Sequence, residues 1–233
     1  QRQMCIRDSY VVAHFHYVLS LGTSISIVMG IFIIVDMFLG LGIGAGVSYV
    51  ASTAGLSTIT IALISLSLIF FSLHYLGFNT MPRRYVDYSD NIRLHNRIAT
   101  MMLVAFLVAP LMPMGMTGYA CPLIYDFCTH MSVCCSSVSS MNVLCTTVSH
   151  KLIGMFYGML GLAGLTWATV CSLIMRFELA SPGMRIIMSY DSYNVYVTLH
   201  GLIRIFGFAM PVLFGLYGNV LIPLLICSPE VGF

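Results

Sequence analysis

Two histidines one residue apart stand in an otherwise apolar run, Tyr10-Val11-Val12-Ala13-His14-Phe15-His16-Tyr17-Val18-Leu19-Ser20. Neutral imidazole is a common metal ligand, and inside a membrane an ionisable side chain is a functional-site hypothesis by default. A helix turns about 100° per residue, so positions i and i+2 leave its axis about 200° apart. One metal cannot take both rings, but each can serve a separate partner on opposite sides of one helix. The plain alternative is a pair of histidines hydrogen-bonded to neighbouring helices. A second candidate is the guanidinium pair Arg83-Arg84 in the connector Gly77-Phe78-Asn79-Thr80-Met81-Pro82-Arg83-Arg84-Tyr85-Val86-Asp87-Tyr88, the densest charge in the chain. Planar donor forks suit carboxylates or phosphates. The alternative there is an interfacial anchor that snorkels to lipid headgroups.

The elements that must position these groups are apolar. The 233 residues are 59% hydrophobic and 8% charged, with a mean hydropathy of +0.94, which a water-soluble domain with a polar surface could hardly sustain. The expected fold is an all-α integral membrane protein with about five transmembrane helices, surrounded by membrane lipid. The expected spans are Tyr10 to Phe38, Leu56 to Leu76, Ile98 to Gly118, Lys151 to Met175 and Tyr193 to Ile226. Pro211 should kink the last, because proline removes a backbone donor in mid-helix. Net charge is +2, with basic residues scattered through loops, so nucleic acid is not an expected partner. The glycine-rich stretch 40–46 lacks the lysine and strand-to-helix setting of a phosphate loop. Residues 1–9 read as a non-native leader with no signal-peptide core. Of eight cysteines, five lie in a Cys/Ser-rich connector, 119–148, without Cys-x-x-Cys spacing, and are expected to act as apolar filler.

The histidine run closely resembles the tenth transmembrane helix of subunit I in the haem-copper oxidase family, to which mitochondrial cytochrome c oxidase belongs. Met81-Pro82-Arg83-Arg84-Tyr85, followed by Asp87-Tyr88, is similar to that family's pattern after its eleventh helix, and 10–118 as a whole resembles its helices ten to twelve. Ser149-His150-Lys151-Leu152-Ile153-Gly154 resembles the family's amino terminus. Arg176-Phe177-Glu178-Leu179-Ala180-Ser181-Pro182-Gly183 resembles the turn after its first helix, and Tyr193-Asn194-Val195-Tyr196-Val197-Thr198-Leu199-His200-Gly201 the start of its second. Residues 149–233 therefore resemble helices one and two, and the order is permuted: ten, eleven, twelve, one, two. The third to ninth helices, which in the family carry the copper-binding histidines, have no counterpart in the sequence.

The resemblance implies a fragment of the oxidase subunit I bundle and, residue by residue, its cofactors. His16 and His200 would bind a low-spin haem between them, and His14 a high-spin haem on the other side, making it the catalytic ligand. Arg83 and Arg84 would hold haem propionates and Arg176 a haem substituent. Glu178 and Gly183 would belong to a calcium or sodium site. Both helices carrying the low-spin ligands begin on the same side, and each ligand lies six or seven residues in, near 10 Å deep. The implied activity is that of cytochrome-c oxidase, with electrons passing from cytochrome c to oxygen coupled to proton translocation in the mitochondrial inner membrane. Copper belongs to that activity, but its ligands are absent here, so other oxidase subunits or fragments would have to supply the missing helices. Cytochrome c would be an indirect partner. The competing expectation is a non-catalytic helix module, or a rearranged gene product, that binds no haem. Pro229-Glu230 matches a position at the mouth of a family proton pathway. Arg204 departs from the family, which usually has an apolar residue there. A charge so deep should find a carbonyl or a carboxylate beside the haem, or else the residue records a sequence error.

Overall fold

The run from Thr53 to Phe78 holds no Asp, Glu, Lys or Arg and has apolar residues on every side, so it has no polar face to give to water. It forms one helix of 26 residues, about 39 Å long at 1.5 Å per residue and sufficient for a hydrocarbon core of about 30 Å. The computed structural model describes residues 8–23, 26, 27, 30, 53–108 and 148–228. In chain order its helices are α1 (Asp8–His16), α2 (Thr53–Phe78), α3 (Arg93–Val108), α4 (His150–Glu178), α5 (Tyr190–Leu202) and α6 (Asn219–Leu225). There is no strand among the described residues. Three helical runs there are long and apolar enough to cross a membrane: Thr60–Phe78, His150–Glu178 and the continuous Tyr190–Leu225. The expected first and third spans run on into residues outside those described. The glycine-rich stretch 40–46, residues 109–147 with the five connector cysteines, and Pro229-Glu230 also lie outside them. Of the other cysteines, Cys171 is buried and Cys227 exposed, both as free thiols.

Two helix groups pack side by side. In the first, α1 lies against α2 so closely that a Cβ on Gly77 would fall 2.5 Å from the Tyr10 nitrogen. Leu66, Ile69 and Phe70 of α2 pack on Met102, Leu103 and Phe106 of α3. In the second, Phe208, Val212, Leu216 and Val220 pack with Leu165 of α4 and reach back to Ile27, whose carbonyl accepts from the Tyr217 hydroxyl. At one end the connectors between helices close over both groups, burying Leu76, Met81, Val86, Ile92, Leu179, Ile187 and Tyr193 together.

The expected proline kink takes another form. From Ile203 to Ala209 and from Pro211 to Gly218 the helix widens to π geometry on both sides of Met210. Proline has no N–H and crowds the preceding turn, and a wider turn is one way to accommodate both effects. The widened stretch meets α4 at its closest approach: a Cβ on Gly164 would lie 2.2 Å from the Gly207 carbonyl oxygen. Gly164→Ala should therefore force the helices apart and cost about 1–3 kcal/mol. Gly201→Ala meets nothing within 4 Å and should leave the melting temperature in detergent nearly unchanged; equal losses for both variants would contradict this packing.

Candidate functional site

α1 and α5 bring their histidines together across the boundary between the two helix groups. The rings of His16 and His200 have centroids 6.4 Å apart and planes within 18° of parallel. Two imidazoles on opposite sides of one metal, each bonded through nitrogen at about 2.0–2.1 Å, have ring centres about 6 Å apart. The other ring nitrogens are occupied. His16 Nδ1 lies 2.8 Å from the Val12 carbonyl one turn back, and His200 Nδ1 lies 2.8 Å from the Ala168 carbonyl of α4. A carbonyl only accepts, so each Nδ1–H donates, and in the neutral ring Nε2 keeps its lone pair. Fixing the tautomer through the far nitrogen is how proteins orient metal-binding histidines. The tautomers and ring spacing are thus compatible with the two rings holding one metal between them. His14 is exposed, unlike the half-buried His16, in keeping with their opposed directions on α1.

The predicted cationic residues gather at the end where the connectors close. Arg83 and Arg84 are exposed, and Arg84 takes a left-handed conformation with φ 63°, which costs a non-glycine residue roughly 1–2 kcal/mol. Arg176 ends α4, and its carbonyl accepts from Thr100 Oγ1 at 2.9 Å. Its Nη1 is buried without a hydrogen-bond partner among the described residues, a donor with capacity to spare for a further acceptor. Beside it Tyr88 donates to the Leu179 carbonyl at 2.7 Å. Burial pushes this phenol above its ordinary range, with Arg176 the largest opposing influence, so the hydroxyl remains a donor at neutral pH.

Glu178 is fully buried, and its carboxylate accepts from the backbone N–H groups of Arg185 (2.8 Å), Ile186 (2.8 Å) and Ile187 (2.9 Å). Gly183, at φ +87°, donates to Asp87 Oδ1 at 2.9 Å. The two residues share one turn, but no group of three or more His, Cys, Asp or Glu able to hold a metal occurs among the described residues. The expectation for Arg204 is incomplete. Among the described residues its guanidinium meets an aromatic face one turn along its own helix, with the guanidinium carbon 5.7 Å from the centre of the Phe208 ring, a partner the expectation did not include. Sequence reasoning also missed the Ala168 carbonyl, since no side chain advertises a backbone oxygen, and Asp87, read only as part of a motif.

With this geometry in view, comparison with known proteins is decisive at the level of family. The family model for "Cytochrome C and Quinol oxidase polypeptide I" matches residues 5–111 and 152–233. The chain belongs to this family. Similar relatives are cytochrome c oxidase subunit 1 of Strigomonas oncopelti, 37% identical over 40% of this chain and 28% of that protein, and that of Pecten maximus, 44% identical over 36% and 18%. A bacterial relative, cytochrome c oxidase subunit 1 of Corynebacterium diphtheriae, is 38% identical over 38% of this chain and 15% of its own length. The chain thus spans between about a seventh and a little over a quarter of the length of these relatives. No solved structure matches it. Membership of the oxidase family agrees with the all-helical membrane fold, and the family as a whole implies haem and copper cofactors.

Proposed function

We propose that this chain is a fragment of cytochrome c oxidase subunit I that holds haem and takes part in electron transfer from cytochrome c to oxygen. The observation that carries the reading is the pair His16 and His200, whose Nδ1–H groups are both tied to carbonyls and whose ring centres stand 6.4 Å apart. A haem bound there supplies reversible one-electron chemistry. The chain's own residues would do the rest: His16 and His200 would hold the haem through Nε2, and the Val12 and Ala168 carbonyls keep the rings in register. Arg83 and Arg84 neutralise propionates at the membrane surface, and Arg176 offers its unpartnered Nη1 to a substituent on the same haem. His14 presents its ring from the opposite side of α1 to a second, high-spin haem. Glu178 and Gly183 form part of a calcium or sodium site, to which Asp87 brings a second carboxylate.

Residues 10–118 would then correspond to the family's helices ten to twelve and 149–233 to its helices one and two. Other polypeptides would supply the remaining helices with the copper ligands, in the mitochondrial inner membrane, and couple the reaction to proton translocation. Purified chain reconstituted with haem should bind about one low-spin haem and show a six-coordinate spectrum. Stably folded protein that takes up no haem would favour the non-catalytic helix module instead.

A further inference from the structure

Arg204 is a charge deep within a described span, 14 residues past the span's start at Tyr190, to which the reading above gives no task. It follows His200 by one turn, which places their Cβ atoms about 5–6 Å apart. Phe208 is its partner among the described residues, and a cation over a ring face is held in place without being neutralised. Among the described residues no carboxylate forms an ion pair with it. Asp191, the carboxylate of the same helical run, lies 13 residues back, about 20 Å along the axis. Glu178 is ten residues beyond the Ala168 carbonyl on α4, about 15 Å away, and its oxygens are engaged by three amides. A full positive charge therefore stands beside the ligand pair, in a part of the protein that water does not screen well.

We propose that Arg204 raises the reduction potential of an iron held between His16 and His200. This rests on the reading of that pair as haem ligands. Ferric iron carries one more positive charge than ferrous iron, so a fixed neighbouring cation disfavours the oxidised form. At an effective dielectric of about 20, a unit charge about 10 Å away displaces a one-electron equilibrium by roughly tenfold, which is about 59 mV. Arg204 is a positioning residue in this sense: it acts through the field and touches no reacting atom.

The test is a redox titration of the haem-reconstituted chain, followed through its low-spin spectrum. Arg204→Met and Arg204→Gln remove the charge at similar length, and Arg204→Lys keeps it. Both charge-free variants should retain the six-coordinate spectrum, while their ratio of reduced to oxidised haem at a fixed applied potential falls about tenfold. Arg204→Lys should stay within about twofold of the unmodified chain, which a purely steric role would not produce. A ratio unchanged in both charge-free variants with the spectrum intact overturns the proposal and leaves the ligand assignment standing. An unmodified chain that binds no haem overturns both.

Discussion

His200→Ala and His16→Ala are each expected to abolish the six-coordinate low-spin spectrum of the haem-reconstituted chain, whereas His14→Ala should retain it. Removing either ring leaves one axial ligand, and a five-coordinate haem is high-spin. Geometry makes the three variants unequal. His16 and His200 face each other with centroids 6.4 Å apart, while His14 is two residues from His16 on the same helix and points away from it. Each of the two rings makes one contact of 2.8 Å to a backbone carbonyl, so each variant also loses one hydrogen bond, and helical content is the control for general loosening. The α-helical content of all three variants should match that of the unmodified chain by circular dichroism. If His14→Ala abolishes the signal while His16→Ala spares it, the two faces of α1 have been assigned the wrong way round.

Glu178→Ala should destabilise the chain more than Gly164→Ala does. The Glu178 side chain is fully buried and accepts three backbone hydrogen bonds from the turn 185–187. A hydrogen bond to a charged acceptor contributes about 1.5–3 kcal/mol, and truncation removes all three together; allowing for water that enters to replace part of this, the expected loss is about 3–5 kcal/mol. It should centre on the connector, where Leu179 and Ile187 help to cover the ends of both helix groups. Trypsin cleavage after Arg185 should accelerate sharply in Glu178→Ala, and less in Glu178→Gln, whose amide oxygen still accepts. Unchanged cleavage in both would show that the carboxylate does not hold this turn. Calcium or sodium protection of the turn, present in the unmodified chain and lost in Glu178→Gln, would support the cation site as well.

The amino-acid order alone establishes that the chain is helical and lies in a membrane, because long apolar runs with so few charges leave no other way to satisfy the backbone. It also determined the opposed directions of His14 and His16, which follow from the helical repeat alone, and its motifs pointed to the family that the later comparison established. The expected bounds of the spans at α2 and α4 lie within three residues of the helix ends, whereas α3 begins five residues before the expected Ile98. Contacts between groups distant in sequence, and contacts made by the backbone, emerge only on folding. The Ala168 carbonyl lies 32 positions from the ring it orients, and its identity depends on how α4 and α5 are rotated against each other. The three amides around Glu178 exist only once the connector folds back over the carboxylate. Arg204 illustrates the local case. Its position one turn beyond His200 was plain from the sequence, but its choice of the Phe208 ring depends on the path of a helix that widens around Pro211. A sequence lists the donors and charges on each helix, whereas which of them meet is settled by the rotation and spacing of helices. Here that spacing rests on glycines such as Gly77 and Gly164, which let backbones come within contact of one another.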